Sequence, residues 1–144
     1  MIGNKEINKK YYECRVAVCT FNGKKECEMK TSYVVLADDT EEASAKALSY
    51  IPSAVRVITV RETKIAEVSV SDNTDASEVF VVGQFFIGRA TREIVDKNGL
   101  VQTVTSDYLM QADIIETALR DMRRLVGTSE IKGLKRTTYQ GLIL

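Results

Sequence analysis

One sequence unit occurs twice in this chain, and that repeat constrains the fold more than any other feature. Thr31-Ser32-Tyr33-Val34-Val35-Leu36-Ala37-Asp38 leads into an Ala-rich amphipathic stretch. Ser106-Asp107-Tyr108-Leu109-Met110-Gln111-Ala112-Asp113 leads into another. An Asn-Gly pair lies upstream of each, at Asn22-Gly23 and Asn98-Gly99. A β-type tail follows each, at Val60-Arg61-Glu62-Thr63 and Leu134-Lys135-Arg136-Thr137. Matching positions stand about 75 residues apart. The chain of 144 residues allows one domain or two very small ones. Repeats of about 60 residues are marginal alone, so the two are expected to share one core or one sheet.

Local patterns sort each repeat into strands and a helix. Residues 11–21 and 24–37 read as a hairpin, because Asn22-Gly23 tolerates the positive φ of a two-residue turn. That turn pairs Val18 with Cys27 and Cys14 with Thr31. One face then carries Tyr12, Cys14, Val16, Val18, Cys27, Met29, Tyr33 and Val35. The other, with Arg15, Ala17, Cys19, Phe21, Lys24, Glu26, Glu28 and Lys30, reads as largely wet. Asp38 or Asp39 caps a helix whose buried side is Ala43, Ala47, Leu48 and Ile51, and Pro52 ends it. Residues 55–70 return as one long strand or two short ones.

The second repeat begins with an extended stretch, 79–95, interrupted by Gly83 and Gly88, which mark a bulge, a bend or a close crossing. Asp96-Lys97-Asn98-Gly99 turns it back in an open register. Asp113 with Glu116 is the expected cap of the second helix, whose buried face is Ile115, Ala118, Leu119, Met122 and Val126. Residues 131–144 complete the unit, and Leu142-Ile143-Leu144 ties the end into a sheet.

The expected fold is therefore α+β: two ββαβ units related by pseudo-twofold symmetry, an antiparallel sheet with the helices packed on one face. The units are 11–70 and 79–144, joined by a polar linker at 71–78 and preceded by a flexible N-terminal arm at 1–10. Three motif groups carry a family resemblance. They are Tyr12-Glu13-Cys14-Arg15-Val16, then Thr40-Glu41-Glu42-Ala43, then Val60-Arg61-Glu62-Thr63-Lys64-Ile65 with its counterpart Leu134-Lys135-Arg136-Thr137-Thr138-Tyr139. In these the chain resembles a family of small uncharacterised proteins from gut Bacteroidetes and their phages. The resemblance implies a bacterial or phage cytoplasmic setting and no catalytic residue.

Composition narrows the chemistry. The chain has no histidine, which removes Ser-His-Asp and Cys-His nucleophiles and His-containing zinc sites. Cys14 and Cys27 share a face but stand about 13 Å apart in the expected register, and Cys19 points away, so neither a disulfide nor a metal cluster forms. Asp38, Asp39, Glu41 and Glu42 are absorbed by helix capping and lack calcium-loop spacing. No metal, no cofactor and no enzymatic activity are expected. Twenty basic residues balance 20 acidic ones, so no global attraction to nucleic acid or an anionic membrane arises. No apolar run is long enough for a signal sequence or a bilayer span, so a cytoplasmic location without membrane contact is the default.

The second repeat has the one local charge asymmetry. Arg89, Arg92, Lys97, Arg120, Arg123, Arg124, Lys135 and Arg136 are candidate anion or nucleic-acid contacts. Phe85, Tyr108 and Tyr139, with Phe86 nearby, are candidate stacking rings for single-stranded nucleic acid. The plainer account is a solvated helix face over aromatic core strands. Tyr11, Phe21, Val34, Leu36, Val79 and Val81 are apolar positions that one helix layer leaves uncovered, and an isologous dimer is the commonest cover. The expected role is a non-enzymatic interaction or assembly module, homo-oligomeric or bound to a protein partner. The alternatives are a single-stranded nucleic-acid binder, which is not favoured, and a protein that sequesters a nucleotide-like signal between arginines such as Arg120 and Arg123.

Overall fold

The computed structural model describes residues 9–23, 25–71 and 79–144. Among these residues the chain forms, in order, β1 (Lys10–Asn22), β2 (Lys25–Ala37), α1 (Thr40–Tyr50), β3 (Ala54–Glu62), β4 (Ile65–Ser69), β5 (Phe80–Val82), β6 (Phe85–Val95), β7 (Val101–Gln111), α2 (Ile115–Val126), β8 (Glu130–Arg136) and β9 (Tyr139–Ile143). This is an α+β fold with two ββαβ units, β1-β2-α1-β3 and β6-β7-α2-β8. Most of the linker at 71–78 and of the arm at 1–10 lies outside the described residues, although Lys10 already belongs to β1.

Two mixed sheets replace the antiparallel sheet expected from the hairpins. Their strand orders are β3-β1-β2-β9-β5 and β4-β7-β6-β8. The four shared places correspond strand for strand: β3, β1, β2 and β9 in the first match β8, β6, β7 and β4 in the second. Each repeat thus gives its last strand to the other repeat's sheet. β9 runs parallel to β2, pairing Val34 with Leu142, and β4 runs parallel to β7, pairing Val68 with Leu109. The compact units consequently cut across the sequence repeats. Described residues 9–63, 79–82 and 138–144 form the first, and 64–71 and 83–137 form the second.

Chain reach prevents either repeat from placing its last strand beside β2 or β7 of its own sheet. Only Thr63 and Lys64 separate β3 from β4. The free edge beyond β2 lies three strand spacings from β3, or about 14 Å, whereas so short a connection spans at most about 11 Å. Thr137 and Thr138 impose the same limit between β8 and β9.

Both crossings are held in one way. Thr63 donates its backbone N–H and its hydroxyl to the carbonyl of Tyr11, at 3.0 and 2.8 Å. Thr137 does the same to the carbonyl of Phe85, both at 2.9 Å. Replacing Thr137 by Val keeps the shape and the N–H bond but removes the hydroxyl donor. We expect that change to cost about 1 kcal/mol in denaturant titration; an unchanged midpoint would mean the hydroxyl bond contributes nothing.

Helix packing follows the repeat closely. Ala43 and Ala47 on the first helix and Ile51 at its C-cap are buried, and Ala118, Met122 and Val126 take the same places in the second. In the first unit they meet Tyr12, Cys14, Val16, Tyr33 and Val35, and in the second Phe86, Ala90 and Met110. Asp39 caps α1, its Oδ1 accepting the N–H of Glu42 at 2.8 Å. The cap expected from Asp113 does not form. The N-cap of α2 is Ile114, without a side-chain bond, because the helix begins one residue too late for the aspartate. The helix is also rotated from its expected face. Ile115 is 46% exposed and Leu119 half-buried, while Asp121 turns inward.

Two expectations about the first hairpin change. Asn22 pairs with Lys25, so the turn sits one residue later than Asn22-Gly23, and Val18 opposes Met29 while Cys14 opposes Tyr33. Opposite partners move by two residues, which preserves the facing of every side chain; a one-residue slip would have inverted it. The face taken as largely wet is dry near its base. Ala17 and Val34 are fully buried there, as are Leu142 and Val81 on the neighbouring strands. The second sheet likewise buries Phe85, Leu109 and Ile65 on the side away from α2.

Glycines mark the two irregularities in the second repeat. Gly83, at φ 143°, breaks the long extended stretch into β5 and β6, which join different sheets. Gly88 is a close crossing: a Cβ there would overlap the Sδ and Cε of Met122.

Candidate functional site

The basic residues of the second repeat divide among several surfaces. Arg92 and Lys97 sit on the β6–β7 hairpin, both exposed. Arg89 and Lys135 project from the sheet face opposite α2, whereas Arg136 pairs across from Phe86 and so shares the α2 face. Arg120, Arg123 and Arg124 lie on α2. Arg89 is already engaged, its Nε 3.0 Å from Oδ1 of Asp107. That side-chain hydrogen bond, with the charge of Asp107, raises the guanidinium pKa further above its ordinary value.

The candidate stacking rings divide between the two sheets, and two of the phenylalanines are buried. Phe85 and Phe86 are core residues, 1% and 5% exposed, because their strand is buried on both faces at that level. Tyr108 is half-buried against the α2 core. Tyr139 begins β9 and therefore belongs to the other sheet, where its hydroxyl donates to Oε2 of Glu13 at 3.2 Å. Arg61 reaches the same carboxylate oxygen at 2.9 Å. Tyr139 therefore belongs to the first compact unit, and Phe85, Phe86 and Tyr108 to the second.

The thiols are free and differ in setting. Cys14 is fully buried, and burial pushes its pKa up to about 11. Cys19 and Cys27 are partly exposed on the distal part of the hairpin. Among the described residues, no group of three or more His, Cys, Asp and Glu side chains is placed to hold a metal ion, and no helix is long and apolar enough to cross a membrane.

Two features remain as sites. The first is a β-ribbon. β6 pairs with β8 only up to Thr91 opposite Glu130, and β7 pairs with β4 only from Asp107 onward. Between those points β6 and β7 pair with each other alone among the described residues. The end of this ribbon exposes Ile94, Val95, Leu100 and Val101 by 37%, 68%, 61% and 61%. Its turn is well fastened. Oδ1 of Asp96 accepts the N–H groups of Asn98 and Leu100 at 2.8 and 2.9 Å, and Gly99 supplies a φ of 78°. The local sequence signal was the Asn98-Gly99 pair, but it left open the register that sets Val95 opposite Val101.

The second feature is a cleft of about 460 Å³ between the end of β4 and α2. Ser69 and Ser71 line it from the strand side, and Thr117, Arg120, Asp121 and Arg124 from the helix. The N–H of Ser71 donates to Oε1 of Gln111 at 2.8 Å, which anchors the strand end beside the helix. Arg120 reaches Oδ1 of the buried Asp121 through Nε and Nη2, both at 3.3 Å. Sequence reasoning found the helix arginines but missed the serines. Ser69 belongs to the first repeat and Ser71 begins the linker after it, and both enter this cleft only because β4 crosses over. No family model, no curated protein and no solved structure matches this chain.

Proposed function

We propose that the protein is a non-enzymatic interaction and assembly module that self-associates through the β6–β7 ribbon. The single observation that carries this reading is the exposure of Ile94, Val95, Leu100 and Val101 on a hairpin end that, among the described residues, has no third strand beside it. An isolated two-stranded ribbon is marginal in water, and its edges hold unpaired backbone groups, so such an arm gains stability when covered. The Asp96 turn holds the arm in one shape beforehand, which lowers the ordering cost of docking.

A second copy of the chain is the occupant that fits. Arg92 and Glu93 flank the apolar residues on one side of the turn and Asp96 and Lys97 lie within it, so the ribbon end is charge-balanced and has no net charge to repel a second copy. Of the apolar positions that one helix layer was expected to leave uncovered, Val34 and Val81 are buried within the single chain, whereas Phe21 is 71% exposed. The resemblance to Bacteroidetes and phage proteins supports a bacterial or phage cytoplasm as the setting.

Sedimentation velocity at low micromolar concentration tests the reading. We expect a dimer or larger particle for the native chain and a monomer for the Val95→Asp, Val101→Asp double variant. These side chains are exposed, so we expect each substitution to change folding stability by about 0.5 kcal/mol or less. A native chain that stays monomeric sinks the proposal, as does a variant that assembles just as well.

A further inference from the structure

We infer that the cleft between β4 and α2 binds a small phosphomonoester that carries neighbouring hydroxyl groups, of the size of a sugar phosphate or a nucleoside monophosphate. The inference stands apart from the ribbon's self-association and rests on different residues.

The first argument is a comparison within the molecule. The fold builds its scaffold twice, and the buried apolar positions Ala118, Met122 and Val126 match Ala43, Ala47 and Ile51. At the places of Arg120 and Arg124 the first helix has Ala45 and Ser49. Helix α1 folds and packs without them, so the architecture does not require guanidinium groups there. The dipole of α2 does not require both either, because Arg123 already sits in the last turn.

The second argument is electrostatic. Arg120 and Arg124 are one turn apart, and two like charges so placed repel each other. Asp121 relieves this only in part. It is adjacent in sequence, and Arg120 must bend around the helix to reach it with two bonds at 3.3 Å, longer than a good charge-assisted bond. Among the described residues the side chain of Arg124 has no hydrogen-bond or ion-pair partner. An anion between the two guanidinium groups resolves the repulsion and uses the bidentate geometry in which arginine holds phosphate.

The remaining lining sets the rest of the ligand. Ser69 and Thr117 also line the cleft, and their hydroxyls are of a kind that donates to phosphate oxygens. The carboxylate of Asp121, with a side chain only 11% exposed, is an acceptor that suits hydroxyl donors rather than a second anion. The volume of about 460 Å³ falls in the range of small-molecule sites.

Calorimetry and amide chemical-shift mapping on the full chain test this, with ribose 5-phosphate, AMP, inorganic phosphate and ribose as probes. We expect the two phosphomonoesters to bind and to move the amide signals of Ser69, Ser71 and Thr117, and ribose to do neither. Arg124→Ala should weaken binding by about tenfold or more, the loss of one charge-assisted contact, while Arg123→Ala, outside the cleft, leaves it unchanged. No binding of either ester overturns the inference. Equal losses from Arg123→Ala and Arg124→Ala would do the same, since only net charge would then matter. Inorganic phosphate binding as tightly as the esters would overturn the assignment to a monoester. A preference between ribose 5-phosphate and AMP tells whether the sugar phosphate alone or the whole nucleotide is recognised.

Discussion

Removal of residues 138–144 is expected to unfold the first sheet, although those residues directly follow the last strand of the second. β9 lies between β2 and β5 and carries Leu142 and Ile143, both fully buried. Exposing or deleting two such side chains forfeits about 3–6 kcal/mol of burial, before the lost backbone bonds are counted. That is comparable to the whole stability of an ordinary small domain. Amide hydrogen exchange supplies the discriminating readout. Protection should collapse in β1 and β2, at 10–37, and persist longer in β6 and β7. If protection instead disappears first from β8 and β6, the strand exchange is wrong.

The second large effect concerns Gly88 and Met122. Met122→Ala should cost about 2–4 kcal/mol, because a fully buried side chain is removed and its cavity cannot fully collapse. Gly88→Ala should also destabilise, by about 1–3 kcal/mol, since the new methyl must displace the Met122 thioether. The double variant should cost less than the two changes added together, with a coupling of about 1 kcal/mol or more in a double-mutant cycle. The first unit already contains the alternative arrangement. There Cys14 on the strand and Ala47 on the helix hold the corresponding places, so the bulk sits on the strand instead of the helix. Strict additivity in the cycle would show that Gly88 and Met122 do not share one space.

Much of the fold is legible along the chain because facing is a local property. The alternation Tyr12, Cys14, Val16, Val18 declares a core face, and that reading survived a misplaced turn because strand parity was preserved. Asp39 before Glu42 and Pro52 after Ile51 mark the limits of α1. The same reasoning failed at Asp113. A capping signature there competes with packing, and packing rotated α2 until Asp121 rather than Ile115 turned inward. Of the two sites, the arginines of the cleft were visible in the sequence. Its serines and the bare end of the ribbon were not, because both depend on where β4 and β8 stop pairing.

The amino-acid order alone determined that two like modules exist, where their helices lie and which side of each hairpin is apolar. Periodicity and capping act over a few residues and need no distant partner. Only the tertiary structure decided which sheet receives β4 and β9, which second faces become dry and which residues share a cleft with Arg120 and Arg124. A short apolar strand fits beside either β2 or β7, since both edges offer the same backbone donors and acceptors. The choice falls to the reach of a two-residue connection and to burial over the whole chain, which no single stretch of residues displays.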